Sequence, residues 1–503
     1  MATDFLDPKA AQRSLTYFAL GGSGIRALEP LLHLCALGLG PRQLNVVMID
    51  PDQSNAAVDR SKSLLDLYCR IRGALLREGS LAEGYFRTEV KDVVGQSVLW
   101  SPIADEDNQQ SAVFQSRVDR PLMNGPSKAL GELFDLLYAE RIRKMDLTLG
   151  FRGVPSIGTV FMNRLREQPF FQQLLTTAQT DAGSVFFAVG SLFGGTGAAA
   201  LPVVGRALVD GIQEEGRNGI RGLPSHRVGS ALLMPYFTLP APPAAVHEDG
   251  GPRPEAAVFA QNAAAALPTY TSGQARFGAY YVIGDGEPRE QEKNAVGGAA
   301  QENPSHYVEL YAALAALDFT ARGGETPTAS VPVFRTIAVG QNNVQWSDLP
   351  ISEASRRRLM GGFVAVHTYL TVFRPDAQAQ PGLGEKLEPV TWMQLAGLGR
   401  REIEGNAELL DDLGAFFLRT WMWAGEMNGS APALDLVRST SKRPSEVRLD
   451  EMMVRSGAAR PLPRTSTNGL QIFRHWNVAA SKRRVTGIAG MLEVMREGSE
   501  AVL

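Results

Sequence analysis

Residues 184–210 read SVFFAVGSLFGGTGAAALPVVGRALVD. The stretch opens with an apolar, β-leaning run, Ser184 to Val189. It then passes through glycines at 190, 194, 195 and 197 around Thr196, and continues as an Ala/Leu/Val run of helical character. Strand, glycine loop and helix in this order aim backbone N–H groups and a helix N-terminus at one spot, which suits an anion and above all a phosphate. Glycine is required because only a residue without Cβ both turns tightly and lets backbone approach a ligand closely. Gly183 to Gly205 carries no charge and is long enough to cross a bilayer. Its glycines cluster in the middle and Pro202 follows, which argues against a spanning helix.

The first 55 residues repeat the pattern. Leu15 to Leu20 reads as a buried strand that runs into Gly21-Gly22-Ser23-Gly24. Ile25 to Leu37 reads as a helix, closed by Gly38, Gly40 and Pro41. Asn45 to Asp50 is a second buried strand, ending in Asp50-Pro51-Asp52-Gln53. Gly22-x-Gly24-x-x-Ala27 satisfies the dinucleotide fingerprint in its Gly/Ala form, with Asp50 where a ribose-binding acid belongs. A tight turn before a helix explains the same residues without a ligand. Both readings stand at this point.

Elsewhere the chain alternates elements and loops. Ser61 to Gly73 and Ser127 to Arg143 read as helices, the second with Ser127 as cap and Leu130, Leu133, Phe134, Leu137 and Tyr138 on one face. Glycine-containing GFRGVPSIG follows at 150–158. Val228 to Phe237 and Gly278 to Ile283 read as strands. Pro254 to Leu267 and Pro304 to Ala321 read as helices, the latter with Asn303 as cap. Val331 to Val339 and Phe363 to Phe373 read as strands, Glu402 to Met427 as one or two helices, and Val485 to Arg496 as a final helix.

Bulk properties narrow the function classes. The 503 residues are 44% hydrophobic and 20% charged, enough for a large core and two to three domains. Fifty basic and 53 acidic residues leave a net charge of −3, so no broad surface for nucleic acid or an anionic membrane is expected. Cys35 and Cys69 fit a reducing compartment, and MATDFLDPKAAQRS lacks the features of a signal peptide, so a cytoplasmic protein is expected. The six histidines have no metal-ligand spacing, and Lys482-Arg483-Arg484 reads as a solvated face.

No GxxxxGK[ST] is present, which excludes a P-loop NTPase. An oxidoreductase of the Rossmann type needs one glycine turn, whereas GGTG at 194–197 is a second one in the same strand–loop–helix setting. At this level of detail the sequence resembles the tubulin/FtsZ superfamily, in particular its distant prokaryotic tubulin-like members. GGTGAAALPVV at 194–204 is similar to the bacterial signature GGTGTGAAPVV. LGGSG at 20–24, IDPDQ at 49–53, GFRGVPSIG at 150–158 and the strand Leu232 to Phe237 match its other nucleotide loops in order and rough spacing.

The resemblance implies an α/β fold. A Rossmann-like GTPase domain with a parallel sheet would span 1–325, including a helix at 254–267. A smaller α/β C-terminal domain with a helical extension would span 326–503, with a flexible loop near 438–469. It also implies bound GTP or GDP with Mg²⁺ and no other metal. Gly21, Gly22, Ser23, Gly24, Gly194, Gly195, Thr196 and Gly197 would hold phosphate; Asp52 and Gln53 would lie near phosphate or Mg²⁺, and Asp50 would be a further nucleotide-binding residue. Gly153 and Ser156 would sense the terminal phosphate, and Asn262 would read the purine edge.

In that family, hydrolysis uses acids on a loop inserted into the next subunit's site, so head-to-tail filaments of the chain with itself are implied. Asn303 and Glu309 echo that NxDxxD-type pattern one residue out of register; equally, Asn303 reads as a cap and Glu309 as a solvated second-turn residue. Ala198-Ala199 and Arg206 depart from the family, at a hydroxyl and at the ribose-binding Glu, and Ile25 replaces a common Asn. Any turnover is therefore expected to be slow or differently built. The alternatives are a non-polymerising switch or scaffold, with protein partners on the C-terminal domain, and, further off, an NAD(P) oxidoreductase.

Overall fold

The structure is a computed structural model. It describes residues 3–78, 84–94, 98–104, 112–120, 127–213, 219–240, 255–292, 297–323, 333–336, 348–374, 391–431, 444–446, 470–482 and 486–503, and the single positions 81, 252 and 344.

An eight-stranded sheet forms the centre. Its strands are β1 (Ser14–Leu20), β2 (Gln43–Ile49), β3 (Glu89–Asp92), β4 (Leu99–Trp100), β5 (Ser184–Ser191), β6 (Val228–Leu233), β7 (Ala279–Ile283) and β8 (Val333–Thr336). The order is β8-β7-β6-β5-β1-β2-β3, with β4 also on β2, and every pair is parallel. Residues of β1, β5 and β6 are buried along their whole length, as continuous apolar runs in a sheet covered on both faces require. Register places Leu20 beside both Ile49 and Gly190. The chain leaves β1 toward β2 on one side and returns as β5 on the other. The carboxyl ends of β1 and β5 therefore flank a topological switch point, where open α/β sheets form their ligand crevice.

The helices are α1 (Gly21–Arg26), α2 (Leu28–Ala36), α3 (Ala56–Glu78), α4 (Lys128–Leu137), α5 (Pro155–Met162), α6 (Pro169–Thr180), α7 (Thr196–Asp210), α8 (Ala256–Thr271), α9 (Tyr307–Arg322), α10 (Glu353–Thr368), α11 (Ala407–Glu426), α12 (Leu470–Lys482) and α13 (Gly487–Glu500), with shorter turns between them. The segment 183–205 is thus β5 plus the start of α7, and among the described residues no helix is long and apolar enough to cross a membrane.

Several sequence expectations change. Phe363 to Phe373 is not a strand: Ser352 caps α10 by accepting from the Ser355 N–H at 3.0 Å, and the helix runs to Thr368 before a wider turn, Tyr369–Phe373. Its residues 358–368 are buried all round, so no polar face marks the helical period. Ser127 to Arg143 breaks at Tyr138, which is extended, and Ser127 makes no side-chain cap bond. Phe134 faces the core, but Leu130, Leu133, Leu136 and Leu137 face outward, 48–82% exposed. α8 continues past Leu267 through Pro268. α9 begins at Tyr307, capped by His306 instead of Asn303.

The smaller α/β domain past residue 325 is also revised. Its one described strand, β8, joins the main sheet, and the other described elements there are helical. These helices share the core of the preceding residues. His33 of α2 stacks on Trp423 of α11, ring centroids 4.8 Å apart, and its Nδ1 meets the Thr420 hydroxyl at 3.0 Å. Arg70 of α3 pairs with Asp412 at 2.9 Å, and Arg358 of α10 with Glu500 of α13. The helix expected at Val485 to Arg496 is α13, and α12 precedes it. Apart from the turn at Pro444–Glu446, the loop expected at 438–469 lies outside the described residues.

Candidate functional site

The two glycine loops leave the sheet side by side and lock together through backbone. Gly21 has φ +71°, and a Cβ there would stand 2.9 Å from the Gly197 nitrogen. A Cβ on Gly197 would stand 2.7 Å from the Ser191 nitrogen, and one on Gly24 2.3 Å from the Val189 carbonyl oxygen. A Cβ on Gly195 would stand 2.8 Å from the Phe151 carbonyl carbon in the third loop. Two glycines differ. Gly22 has nothing closer than the Asn55 amide nitrogen at 3.9 Å, and Gly153, at φ +75°, has open space. Those two face a cleft of about 870 Å³, counting its open mouth.

The cleft has chemically distinct walls. One is the loop set Gly21–Ser23, Gly150–Gly153 and Gly194–Gly197, with α7 starting at buried Thr196. A second is apolar. Phe193 packs on Phe259 at 4.9 Å and on Phe237 at 5.5 Å between ring centroids, with Leu239 beside them. The third carries Arg26, Asn55, Gln301 and Asn303. Asn55 donates to the Gln301 side-chain carbonyl at 2.7 Å. A glycine-loop wall at a helix N-terminus beside an aromatic wall suits a molecule with phosphate at one end and a flat ring at the other.

Asp50 and Asp52 also line the cleft. Burial pushes the Asp50 carboxyl up to about 8, opposed by the hydrogen bond it accepts from the Asp52 N–H at 3.0 Å and reinforced by the Asp52 charge. Asp52 accepts from the Gly298 N–H at 2.7 Å and from the Ser54 N–H and hydroxyl at 3.2 and 3.1 Å. Among the described residues no group of three or more His, Cys, Asp or Glu side chains is placed to hold a metal ion.

The sequence-derived site is thus brought together in part. Gly21, Gly22, Ser23, Asp50, Asp52, Gly153, Gly194, Gly195, Thr196, Gly197 and Asn303 line one cleft. Gly24 stands behind the wall, and Gln53 is exposed outside it. Ser156 is exposed on the first turn of α5, where its carbonyl accepts from the Tyr138 hydroxyl at 3.4 Å. Asn262 also lies off the lining. Its amide nitrogen donates to the carbonyls of Gly153 at 3.1 Å and Phe193 at 3.3 Å, tying two loops together.

The loop expected to reach a neighbouring copy faces its own cleft. Glu309 is 2% exposed and pairs with Arg26 at 2.6 Å. It also accepts from the Tyr236 hydroxyl and the His306 N–H, both at 3.0 Å. Burial raises its pKa while Arg26 opposes the rise. Glu309 is therefore neither solvated nor offered outward. Nη1 and Nη2 of Arg26 donate to the carbonyls of Asn303 at 2.8 Å and Pro304 at 2.6 Å. α9 starts on this edge of the sheet and ends at the other, where Arg13, just before β1, donates to the Thr320 carbonyl at 3.2 Å.

Arg26, Asn55, Gln301 and the phenylalanine wall were not singled out by the sequence reading. Two signals pointed there: Phe193 directly precedes Gly194-Gly195, and Phe259 precedes Asn262 by one helical turn. Compared with models of protein families, with curated proteins and with solved structures, the chain finds no match.

Proposed function

We propose that this chain binds a guanine nucleotide in the manner of the tubulin-like GTPases. The observation that carries the reading is the backbone-to-backbone lock of the loops after β1 and β5 at the switch point, with the α7 N-terminus behind them. Phosphates would lie along Gly22, Ser23 and Gly194–Gly197, and the base against Phe259 and Phe237. Among the described residues the cleft wall carries no lysine, so N–H donors and the α7 dipole would carry much of the phosphate binding. Mg²⁺ bound with the phosphates would be held chiefly through phosphate oxygens and waters, with Asp52 as the protein carboxylate near it.

Head-to-tail assembly is part of the proposal, because a cleft on the carboxyl edge would meet the amino edge of a second copy and such a contact does not close. One observation favours the switch reading instead: residues 301–309 are fastened in cis, so hydrolysis in trans by Asn303 and Glu309 is not supported. Partners on the C-terminal helices belong to the switch reading. Titration calorimetry with GTP, GDP and NAD, alongside light scattering with Mg²⁺ and GTP, tests both. GTP binding with a rise in scattering is expected. Binding without scattering supports the switch, and NAD binding without GTP binding overturns the proposal.

A further inference from the structure

Among the described residues, Arg26 and Arg152 are the cations on the cleft wall. Arg26 is 14% exposed and its charge is met from behind by the buried Glu309 carboxylate. Its remaining nitrogens hold the carbonyls of Asn303 and Pro304. The segment it grips carries Gln301 and Asn303 on the cleft wall and is fixed on its far side by the C-terminal helices. There Glu426 of α11 accepts from the Ser305 N–H and hydroxyl, both at 2.9 Å, and Ser430 accepts from the Tyr307 N–H at 3.1 Å. The Tyr236 hydroxyl donates to the same Glu309 carboxylate at 3.0 Å.

An arginine stays charged whatever faces it, and its planar fork matches phosphate as well as carboxylate. We propose that Arg26 is the charge-sensing residue of the cleft: the ligand's phosphates and Glu309 compete for its guanidinium, and its grip on Asn303 and Pro304 loosens as phosphate wins. The proposal rests on the nucleotide reading above. In it Glu309, read from sequence as a hydrolytic acid, is a positioning residue that acts through Arg26 and sets how strongly the site responds to phosphate number.

Titration calorimetry of the full chain with GTP, GDP and GMP in Mg²⁺ buffer tests it. Glu309→Gln keeps the side chain's size but removes the competing charge. GTP is expected to bind the variant about tenfold more tightly than the wild type, with the gain shrinking through GDP to GMP. Equal affinities, or one uniform loss across the three, overturn the assignment, since a merely structural role has no reason to rank ligands by charge. Should Glu309→Gln fail to fold, Arg26→Gln decides: its loss of affinity is expected to be largest for GTP and smallest for GMP, and a uniform loss overturns the assignment. A wild-type chain that binds none of the three overturns the nucleotide reading as well. Wild-type binding with no phosphate ranking in either variant overturns the Arg26 assignment alone.

Discussion

Gly22 and Gly24 are neighbours in one loop and answer to different constraints. Gly24 is needed by the fold, because the Val189 carbonyl oxygen would meet its Cβ at 2.3 Å and backbone cannot yield as a side chain can. Gly24→Ala is expected to cost about 1–3 kcal/mol of stability, read by denaturant melts. A Cβ on Gly22 would meet only the Asn55 amide nitrogen, at an ordinary 3.9 Å, so Gly22→Ala is expected to leave the melt unchanged or raise it by up to about 1 kcal/mol while weakening nucleotide binding. Unchanged binding would place the ligand elsewhere. Asp50 supplies a pH test. Its carboxyl moves from 3.8 to about 8 on folding, so the folded chain keeps a proton that the unfolded chain releases. That stabilisation is full below 3.8, fades as pH rises and is gone above about 8. Asp50→Asn is expected to flatten the decline, measured at both ends of that window. Gly21, Gly24, Gly195 and Gly197 were legible because no side chain fits their places. Arg26 was not, because an arginine at the end of a short helix has no signature until its partner, 283 positions away, is known.

Elements were legible where their pattern had only one explanation. The continuous apolar runs of β1 and β5 gave their strands almost to the residue, since a parallel strand buried on both faces has no polar period. The same property hid α10, a helix whose residues 358–368 are buried on every side and whose valines and phenylalanine mimic strand composition. The start of α9 was misplaced because Asn303 is the better cap by propensity, while His306 takes the role through its Nδ1 on the Val308 N–H at 3.2 Å, with Glu309 closing the box. His306 must be neutral to accept that bond. Burial and then the charges of Arg26 and Arg289 pull its pKa from 6.5 down to about 3. The neutral cap's stabilisation is therefore complete above 6.5 and is lost as pH falls toward 3. His306→Ala is expected to cost about 1 kcal/mol at neutral pH. His306→Asn, which caps without titrating, is expected to lose less stability in acid than the wild type; equal acid loss would assign the sensitivity to other groups.

At the scale of the molecule, the division near residue 325 was not legible as it stands. Composition does change there, but that change marks a layer of helices on the α2–α3 side of the sheet and not a separate core. No local pattern reports that Trp423 will stack on His33, or that the Trp476 indole of α12 will donate to Ser499 of α13 at 3.1 Å. One shared core implies one cooperative unfolding transition. Calorimetry is expected to show a single peak, and removal of residues 487–503 to lower the midpoint for the whole chain. Two separated transitions would restore the two-domain division.

The lock between the loops at Gly21 and Gly197 has a consequence for how a ligand is received. Its contacts are mostly main chain against main chain, with Thr196 the one side chain among the nearest neighbours of Gly21, so few rotamers lie in that seam to freeze when a ligand arrives. The cradle is stiff beforehand, and the ordering cost of binding falls on the ligand and on the wall that carries Gln301 and Asn303. Discrimination between ligands would then be exercised at that wall, while the seam offers every phosphate the same welcome.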